Sequence, residues 1–132
     1  SRLDGEGVSK LTVERKEMDD ALERLLIFNS DSNRCTYFTL AAKEAVLSAT
    51  GEDVGSATES LDAEYDGTIP KIAFPTKSLL DILDHYRSEK LTMILTAAEG
   101  PCGIKGEEDQ EYTVIIMPMK IVEETYYSEE EV

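Results

Sequence analysis

The stretch Lys-Ile-Ala-Phe-Pro-Thr-Lys-Ser-Leu-Leu-Asp-Ile-Leu-Asp-His-Tyr, residues 71–86, changes its hydrophobic period after the first four residues. Residues 71–74 form a short apolar run of the kind found in buried strands. From Pro75 onward, large apolar side chains recur at helical spacing, at Leu79, Ile82, Leu83 and Tyr86. Because proline fits the first turn of a helix, we predict a strand at 71–74 and a helix that begins at Pro75.

The first half of the chain has the same order of patterns. Residues 10–14 alternate like a strand, and residues 15–29 then place their apolar side chains on one helical stripe. Further strands are predicted at 36–40, 45–49 and 58–65 in the first half, and at 90–96, 103–105 and 112–117 in the second. Each half is therefore a strand, a helix and three strands. This order predicts one α+β domain with two helices packed together on one face of a β-sheet layer, which leaves the opposite face and the strand edges for partners.

The composition is that of a strongly acidic globular chain. Its 132 residues include 13 Lys and Arg against 28 Asp and Glu, which gives a formal net charge of −15. This charge argues against an autonomous nucleic-acid-binding domain, which is normally basic, and against adsorption to an anionic membrane. The two cysteines, Cys35 and Cys102, are too few for a disulfide framework, so we expect reduced thiols in a cytoplasmic protein.

Three segments of the chain differ in composition. Residues 1–9 are polar and contain two glycines, which is typical of a linker that enters a domain. Residues 10–121 carry the repeated pattern and are predicted to form the domain itself. Residues 122–132 contain five glutamates, and we interpret them as a solvated acidic C-terminal tail.

Several fragments of the chain resemble, in the same order, motifs of one known protein family. Residues 112–121, Tyr-Thr-Val-Ile-Ile-Met-Pro-Met-Lys-Ile, resemble its last strand and its Met-Pro-Met-Arg-Leu ending. Residues 61–67 are similar to its Leu-x-Val-x-Tyr-x-Gly motif, and residues 27–34 to its Leu-Leu-Ser-Asn-x-x-x-Arg loop. Residues 72–74 and 79–83 resemble its Ile-Gly-Phe-Asn and Tyr-Leu-x-Asp-x-Leu motifs. The family is that of the bacterial DNA polymerase III beta subunits, the beta sliding clamps.

The resemblance runs from residue 11 to residue 121 and implies the DNA-clamp fold, in the third, C-terminal domain of such a clamp. Members of the family have three domains of this fold and form a head-to-tail dimeric ring around DNA. The chain departs from the family pattern in three ways. It continues for eleven residues beyond Ile121, it has Lys120 in place of the usual Arg, and it is very acidic even for this family.

The resemblance also implies a peptide-binding pocket at the end of the domain. In the family, this pocket receives short peptides of the Gln-Leu-x-Leu-Phe type from polymerase, clamp loader and repair proteins, and the middle domain supplies the rest of it. The matching positions here are Met117, Pro118, Met119, Lys120 and Ile121, with Pro101 at the edge and residues near Leu3 in the interdomain segment that contributes to the same pocket. Without the resemblance, an apolar strand packed in the core would be the simpler interpretation, although clustered methionines suit an adaptable groove.

Two further sets of residues take roles from the resemblance. Ile27 and Phe28 match the helix end that meets the other subunit of the ring. The helices line the central hole, where cations contact phosphates without reading sequence, and the candidates here are Arg24, Arg34, Lys77 and Arg87. For isolated surface cations, a solvated face is the simpler interpretation. Acidic residues on the same helices dilute the positive lining: Asp19, Asp20, Glu23, Asp81 and Asp84.

We therefore predict a non-enzymatic processivity factor that encircles duplex DNA and tethers DNA polymerase, clamp loader and repair proteins. We expect no cofactor, no metal and no membrane association, a homodimer at full length, and a cytoplasmic, nucleoid-associated location. The alternative is a stand-alone acidic protein-interaction module, either a clamp paralogue or a DNA mimic. A metal-dependent hydrolase built on Glu107, Glu108, Asp109 and Glu111 is a third hypothesis, but their spacing matches no Ca²⁺ loop and a solvated loop is simpler.

Overall fold

The computed structural model describes residues 8–28, 34–51, 55–108 and 113–121. Within these ranges the elements are β1 (Ser9–Glu14), α1 (Arg15–Leu26), β2 (Cys35–Ala41), β3 (Glu44–Gly51), β4 (Gly55–Asp66), β5 (Lys71–Pro75), α2 (Thr76–Leu83), β6 (Lys90–Leu95), β7 (Cys102–Gly106) and β8 (Val114–Ile116). The order of strand, helix and three strands, repeated twice, is the one predicted from the hydrophobic periods.

The described strands form one eight-stranded antiparallel sheet in the order β5-β2-β3-β4-β1-β6-β7-β8. The two halves of the chain join at β1, which pairs with β4 on one side and with β6 on the other. The sheet curls until its two ends meet, because Met119 beyond β8 forms an antiparallel bridge with Ala73 of β5. The backbone N–H of Met119 donates to the carbonyl oxygen of Ala73 at 2.7 Å, so the outer edge of β5 is partly covered.

The two helices pack against each other and against one face of the sheet, as predicted. α1 contacts α2, β1, β3 and β4, and α2 also contacts β5. The side chains that the helices bury are Met18, Ala21, Leu22 and Leu25 on α1, and Thr76, Leu79, Leu80 and Leu83 on α2. In the sheet beneath them, the rings of Phe38 and Phe74 meet edge to face with centroids 5.5 Å apart. Neither helix is long and apolar enough to cross a membrane.

The start of α2 differs from the prediction. Pro75 does not begin the helix but is the last residue of β5 and the N-cap, with an extended ψ of 120°. The helix begins at Thr76, whose N–H donates to the carbonyl oxygen of Arg34 at 3.1 Å and whose hydroxyl lies 2.7 Å from the hydroxyl of Thr36. The fixed φ of proline is compatible with both strand and helix. Pro75 therefore marks the junction of β5 and α2 but does not determine to which of the two it belongs.

The ends of several elements also differ from the prediction. α1 ends at Leu26, where Ile27 is the C-cap, and α2 ends at Leu83, so Tyr86 lies outside the helix although it is buried. β8 is shorter than the predicted strand at 112–117, because Met117 follows the strand and residue 112 lies outside the described residues. The remaining strands lie within two residues of their predicted bounds, apart from the start of β4, which is Gly55.

Candidate functional site

The described residues include four exposed large hydrophobic side chains, and three of these lie within five residues of each other. Ile115, Met117 and Met119 are 51%, 55% and 38% exposed, while the fourth, Ile27, lies at the end of α1. We call these three residues the C-terminal apolar patch. Single exposed hydrophobic residues are ordinary on a protein surface, whereas a cluster of them is a candidate binding surface. For Met117 and Met119, the simpler interpretation of a strand packed in the core is therefore wrong.

The patch is presented by a short, well-anchored strand. β8 pairs with β7 through Cys102↔Ile116, Gly103↔Ile115 and Ile104↔Val114. Ile116 points into the core and is only 6% exposed, so its neighbour Ile115 must point out. Beyond β8, the bridge from Met119 to Ala73 holds the chain against β5. The patch is thus fixed at both ends, by β7 and by β5.

The other predicted pocket residues lie around this patch, as far as the structure describes them. Pro118 and Ile121 are half-buried, and Lys120 is exposed. Pro101 directly precedes β7, and because Cys102 pairs with Ile116, Pro101 and Met117 both lie immediately beyond that pair. The carbonyl oxygen of Pro101 accepts a hydrogen bond from the hydroxyl of Thr96 at 2.8 Å. Leu3 lies outside the described residues.

Tyr86 anchors the patch from below, a role that the sequence did not indicate. Its hydroxyl donates to the carbonyl oxygen of Ile104 and accepts from the N–H of Val114. Val114 is the first residue of β8 and pairs with Ile104 of β7. The side chain is 3% exposed. The helical spacing had placed Tyr86 on α2, and no local sequence signal points to a hydroxyl that joins two distant strands. Tyr86 fixes where β8 begins and hence where the patch is displayed.

Both thiols are packing residues. Burial raises the pKa of Cys102, beneath the end of β8, to about 12, and burial also raises the pKa of Cys35. A thiol needs a lowered pKa to act as a nucleophile near neutral pH, so neither cysteine is suited to catalysis.

The predicted subunit-contact pair is divided by the structure. Ile27 is 74% exposed at the C-cap of α1, whereas Phe28 is half-buried and packs against the core. The N–H of Phe28 donates to the carbonyl oxygen of Leu25 at 2.9 Å. Ile27 is therefore the member of the pair that a second subunit could contact directly, with Phe28 supporting it.

The four predicted DNA-facing cations are all exposed. Arg24 near the end of α1 pairs with Glu59 of β4 at 2.8 Å, and this hydrogen bond lowers the pKa of Glu59. Lys77 lies in the first turn of α2, while Arg34 and Arg87 lie in the chain before β2 and after α2. Since Glu59 neutralises Arg24, the attraction that this cation exerts on a phosphate is reduced.

Acidic groups share the helix layer with these cations. The pKa of Asp19 is raised, first by burial and then by repulsion from Asp84 and Asp20. Asp84 follows α2 directly, so the packing of the two helices brings their acidic groups together. As expected from the sequence, acidic side chains thus lie close to the cations in the layer that α1 and α2 form.

The acidic loop after β7 offers no metal centre in the part of the chain that the structure describes. Glu107 and Glu108 are exposed, while Asp109 and Glu111 lie outside the described residues. Among the described side chains, no group of three or more His, Cys, Asp or Glu could hold a metal ion. The hydrolase hypothesis thus gains no support from the described geometry.

Comparison with known proteins shows the family of the chain. Residues 5–120 match the family model for the DNA polymerase III beta subunit, C-terminal domain. The chain belongs to this family. The beta sliding clamp of Rickettsia bellii is 29% identical over 122 residues, which cover 86% of this chain and 32% of the relative. The beta sliding clamp of Synechocystis is 30% identical over 114 residues, which cover 85% and 29%. The chain therefore spans about a third of the length of these curated relatives.

Solved structures of DNA polymerase III beta subunits share the fold of the chain. The beta subunit from Thermotoga maritima superposes with a TM-score of 0.83 at 26% identity, covering 92% of this chain and 33% of that one. A sliding clamp from Bartonella birtlesii gives a TM-score of 0.82 at 26% identity, covering 88% and 31%. The predicted DNA-clamp domain fold is thus confirmed, as is the resemblance to the C-terminal domain of the beta subunit.

Proposed function

We propose that the chain is the C-terminal domain of a ring-shaped sliding clamp, which acts as a processivity factor for DNA polymerase. The family match supports this role, and the observation that carries it is the C-terminal apolar patch, exposed at the end of β8 and just beyond it, where the chain is held by β7 and by β5. A tethering protein needs such a rigid apolar surface, because partner peptides gain affinity by burying a few large side chains in it.

The proposed chemistry at the patch is non-covalent. A leucine or phenylalanine of a partner peptide would pack on Met117 and Met119, whose flexible thioethers adapt to different anchors. An aromatic anchor buries about 150–250 Å², which corresponds to roughly 4–6 kcal/mol at about 25 cal/mol per Å². The cost of association offsets much of this gain, so one domain with half a pocket should bind only weakly. Pro118, Lys120, Ile121, Pro101 and Leu3 are proposed to border the same pocket.

The proposed hold on DNA is topological and electrostatic. In a complete ring, the helix layer would face the duplex, with Arg24, Arg34, Lys77 and Arg87 near the phosphates. The ion pair between Arg24 and Glu59 and the acidic groups of α1 weaken that attraction. Enclosure by the ring would therefore supply most of the hold, and such contacts carry no sequence information. We infer no enzymatic step in this role.

We also propose how the segments of the chain would contribute to a complete ring. Residues 10–121 would form the domain, residues 1–9 the link to a middle domain, and Ile27 with Phe28 part of the contact between two subunits. DNA polymerase, the clamp loader and repair proteins would share the pocket, in the cytoplasm and on the nucleoid. The alternative of a stand-alone acidic interaction module is favoured by the net charge of −15 and by the acidic helix layer, and it predicts binding to the basic surface of a partner.

Two matched substitutions test the proposed peptide site. We expect Met117→Ser to weaken the binding of a fluorescent Gln-Leu-x-Leu-Phe peptide several-fold in an anisotropy titration. Ile27→Ser removes a hydrophobic side chain outside the patch that is even more exposed than Met117, and it should leave the affinity unchanged. Because both side chains are exposed, neither change should unfold the chain. Equal effects of the two substitutions, or none from Met117→Ser, would contradict the proposed site.

A further inference from the structure

The acidic residues 122–132 begin at the border of the C-terminal apolar patch. Met119 is held against β5 by the 2.7 Å hydrogen bond to Ala73, and Ile121 follows two residues later. The chain then continues for eleven residues. At about 3.3 Å per residue, such a segment reaches at most ~36 Å. This reach is ample for the segment to return over a patch that spans only five consecutive residues, 115–119.

This segment contains aromatic side chains that could pack on the patch. It has an aromatic pair, Tyr126 and Tyr127, between two groups of glutamates. Tyrosine presents a large apolar ring at a low cost in side-chain entropy, and its hydroxyl can stay in water. The aromatic pair therefore provides apolar anchors of the kind that an exposed methionine surface accepts.

A cation lies where the glutamates of the segment would arrive. Lys120 is exposed inside the Met-Pro-Met-Lys-Ile run, and Lys71 lies two residues before Ala73 on β5. The ammonium group of Lys71 is 5.3 Å from the ring centroid of Tyr37 on β2, so it lies toward β2 rather than toward the outer edge of β5. Glu99 lies on the other side of the patch, in the turn before Pro101. The exposed Lys120 thus favours the approach of an acidic segment to the patch, and Glu99 disfavours an approach from the turn before β7.

We propose that residues 122–132 fold back onto the C-terminal apolar patch, with Tyr126 and Tyr127 against Met117 and Met119, and compete with partner peptides for it. This inference rests on the proposed function in one respect, because it takes the patch to be the peptide site. A short tether gives its own segment a local concentration in the millimolar range. Even a weak intrinsic affinity then occupies the patch for much of the time and raises the apparent Kd of a competing peptide.

The first experiment removes the segment. Amide chemical shifts of the 132-residue chain are compared with those of a chain that ends at Ile121, without any peptide. We expect the amides of Ile115, Ile116, Met117 and Met119 to shift on truncation, and the Kd of a Gln-Leu-x-Leu-Phe peptide to fall about two- to tenfold. Unchanged amides together with an unchanged Kd would overturn the proposal.

A pair of double substitutions separates the aromatic contact from a general effect of acidity. Tyr126→Ser with Tyr127→Ser keeps every glutamate and should reproduce the effect of truncation. Tyr126→Phe with Tyr127→Phe keeps the aromatic area and should behave like the unaltered chain. If the serine variant retains full competition, the aromatic pair is not the anchor and the proposal fails.

The same measurements distinguish failure of this proposal from failure of the proposed function. If the peptide binds the full and truncated chains equally well at the patch, intramolecular competition is wrong and the peptide site stands. If truncation shifts residues 115–119 but the peptide binds neither chain, the segment docks as proposed and the peptide site is wrong. A synthetic peptide of residues 122–132, added to the truncated chain, should shift the same amides, and no shift at millimolar concentration would contradict docking.

Discussion

At the scale of single residues, Tyr86 is a buried side chain whose hydroxyl also joins two strands. Its hydroxyl donates to the carbonyl oxygen of Ile104 on β7 and accepts from the N–H of Val114 on β8. These two residues are 10 positions apart in sequence and form the pair at which the contact between β7 and β8 ends. Both backbone groups lie beneath the start of the strand that displays the C-terminal apolar patch. A buried donor or acceptor that loses its partner costs about 1–3 kcal/mol.

Tyr86→Phe keeps the ring and removes only these hydrogen bonds. We expect it to lower the free energy of unfolding by about 1–3 kcal/mol in urea titrations. We also expect the amide of Val114 to exchange faster with solvent while amides in β2 and β3 keep their rates. An unchanged free energy of unfolding, with unchanged exchange at Val114, would show that Tyr86 does not anchor β8.

The patch residues show how far a sequence can predict a site. The Met-Pro-Met-Lys-Ile run was found through its resemblance to a known ending, and apolar composition alone would have placed it in the core. The structure adds Ile115, because strand alternation makes it face solvent once Ile116 faces the core. Which of the two faces is buried depends on tertiary contacts of β8, such as those with β7 and Tyr86, and no local pattern encodes that choice.

At the scale of elements, the order of strands and helices was predictable because their hydrophobic periods differ. The junction at Pro75 and the end of α2 were not, since tertiary contacts such as the pair Thr36–Thr76 decide them. The pairing of β2 with β5 and of β1 with β6 joins strands that are distant in sequence. The bridge from Met119 to Ala73 depends on a backbone N–H and a backbone carbonyl oxygen, which every residue type except proline provides.

The packing of α1 on α2 carries an electrostatic cost at Asp19. Its folded pKa is raised by burial and by Asp84 and Asp20, so the folded state binds a proton more tightly than the unfolded state does. This group therefore favours folding at low pH, and that contribution is lost as the pH rises through the folded pKa. At neutral pH the ionised Asp19 destabilises the helix pair slightly.

Asp19→Asn should accordingly raise the free energy of unfolding at pH 7 by a few tenths of a kcal/mol, because the group is partly exposed. The gain should disappear near pH 3, where the carboxyl is protonated in both states. Asp62→Asn, at an exposed position on β4, serves as the control and should change little at either pH. A loss of stability at pH 7 from Asp19→Asn would contradict the described repulsion.

At the scale of the whole molecule, the net charge of −15 opposes any hold on DNA outside a ring. We expect the 132-residue chain to show no change in the anisotropy of a labelled duplex at physiological salt and micromolar protein. Measurable, salt-dependent binding under these conditions would contradict a hold that depends on enclosure. It would instead assign an independent affinity to Arg24, Arg34, Lys77 and Arg87.

The C-terminal apolar patch is proposed to receive the peptides of partner proteins. A map of amide chemical shifts during titration of the chain with a Gln-Leu-x-Leu-Phe peptide, repeated with residues 122–132 removed, tests this proposal. We expect weak, saturable shifts centred on residues 115–121 and on Cys102, next to Pro101. Shifts confined to the helix layer, or none in either chain while both stay folded, would contradict the proposal.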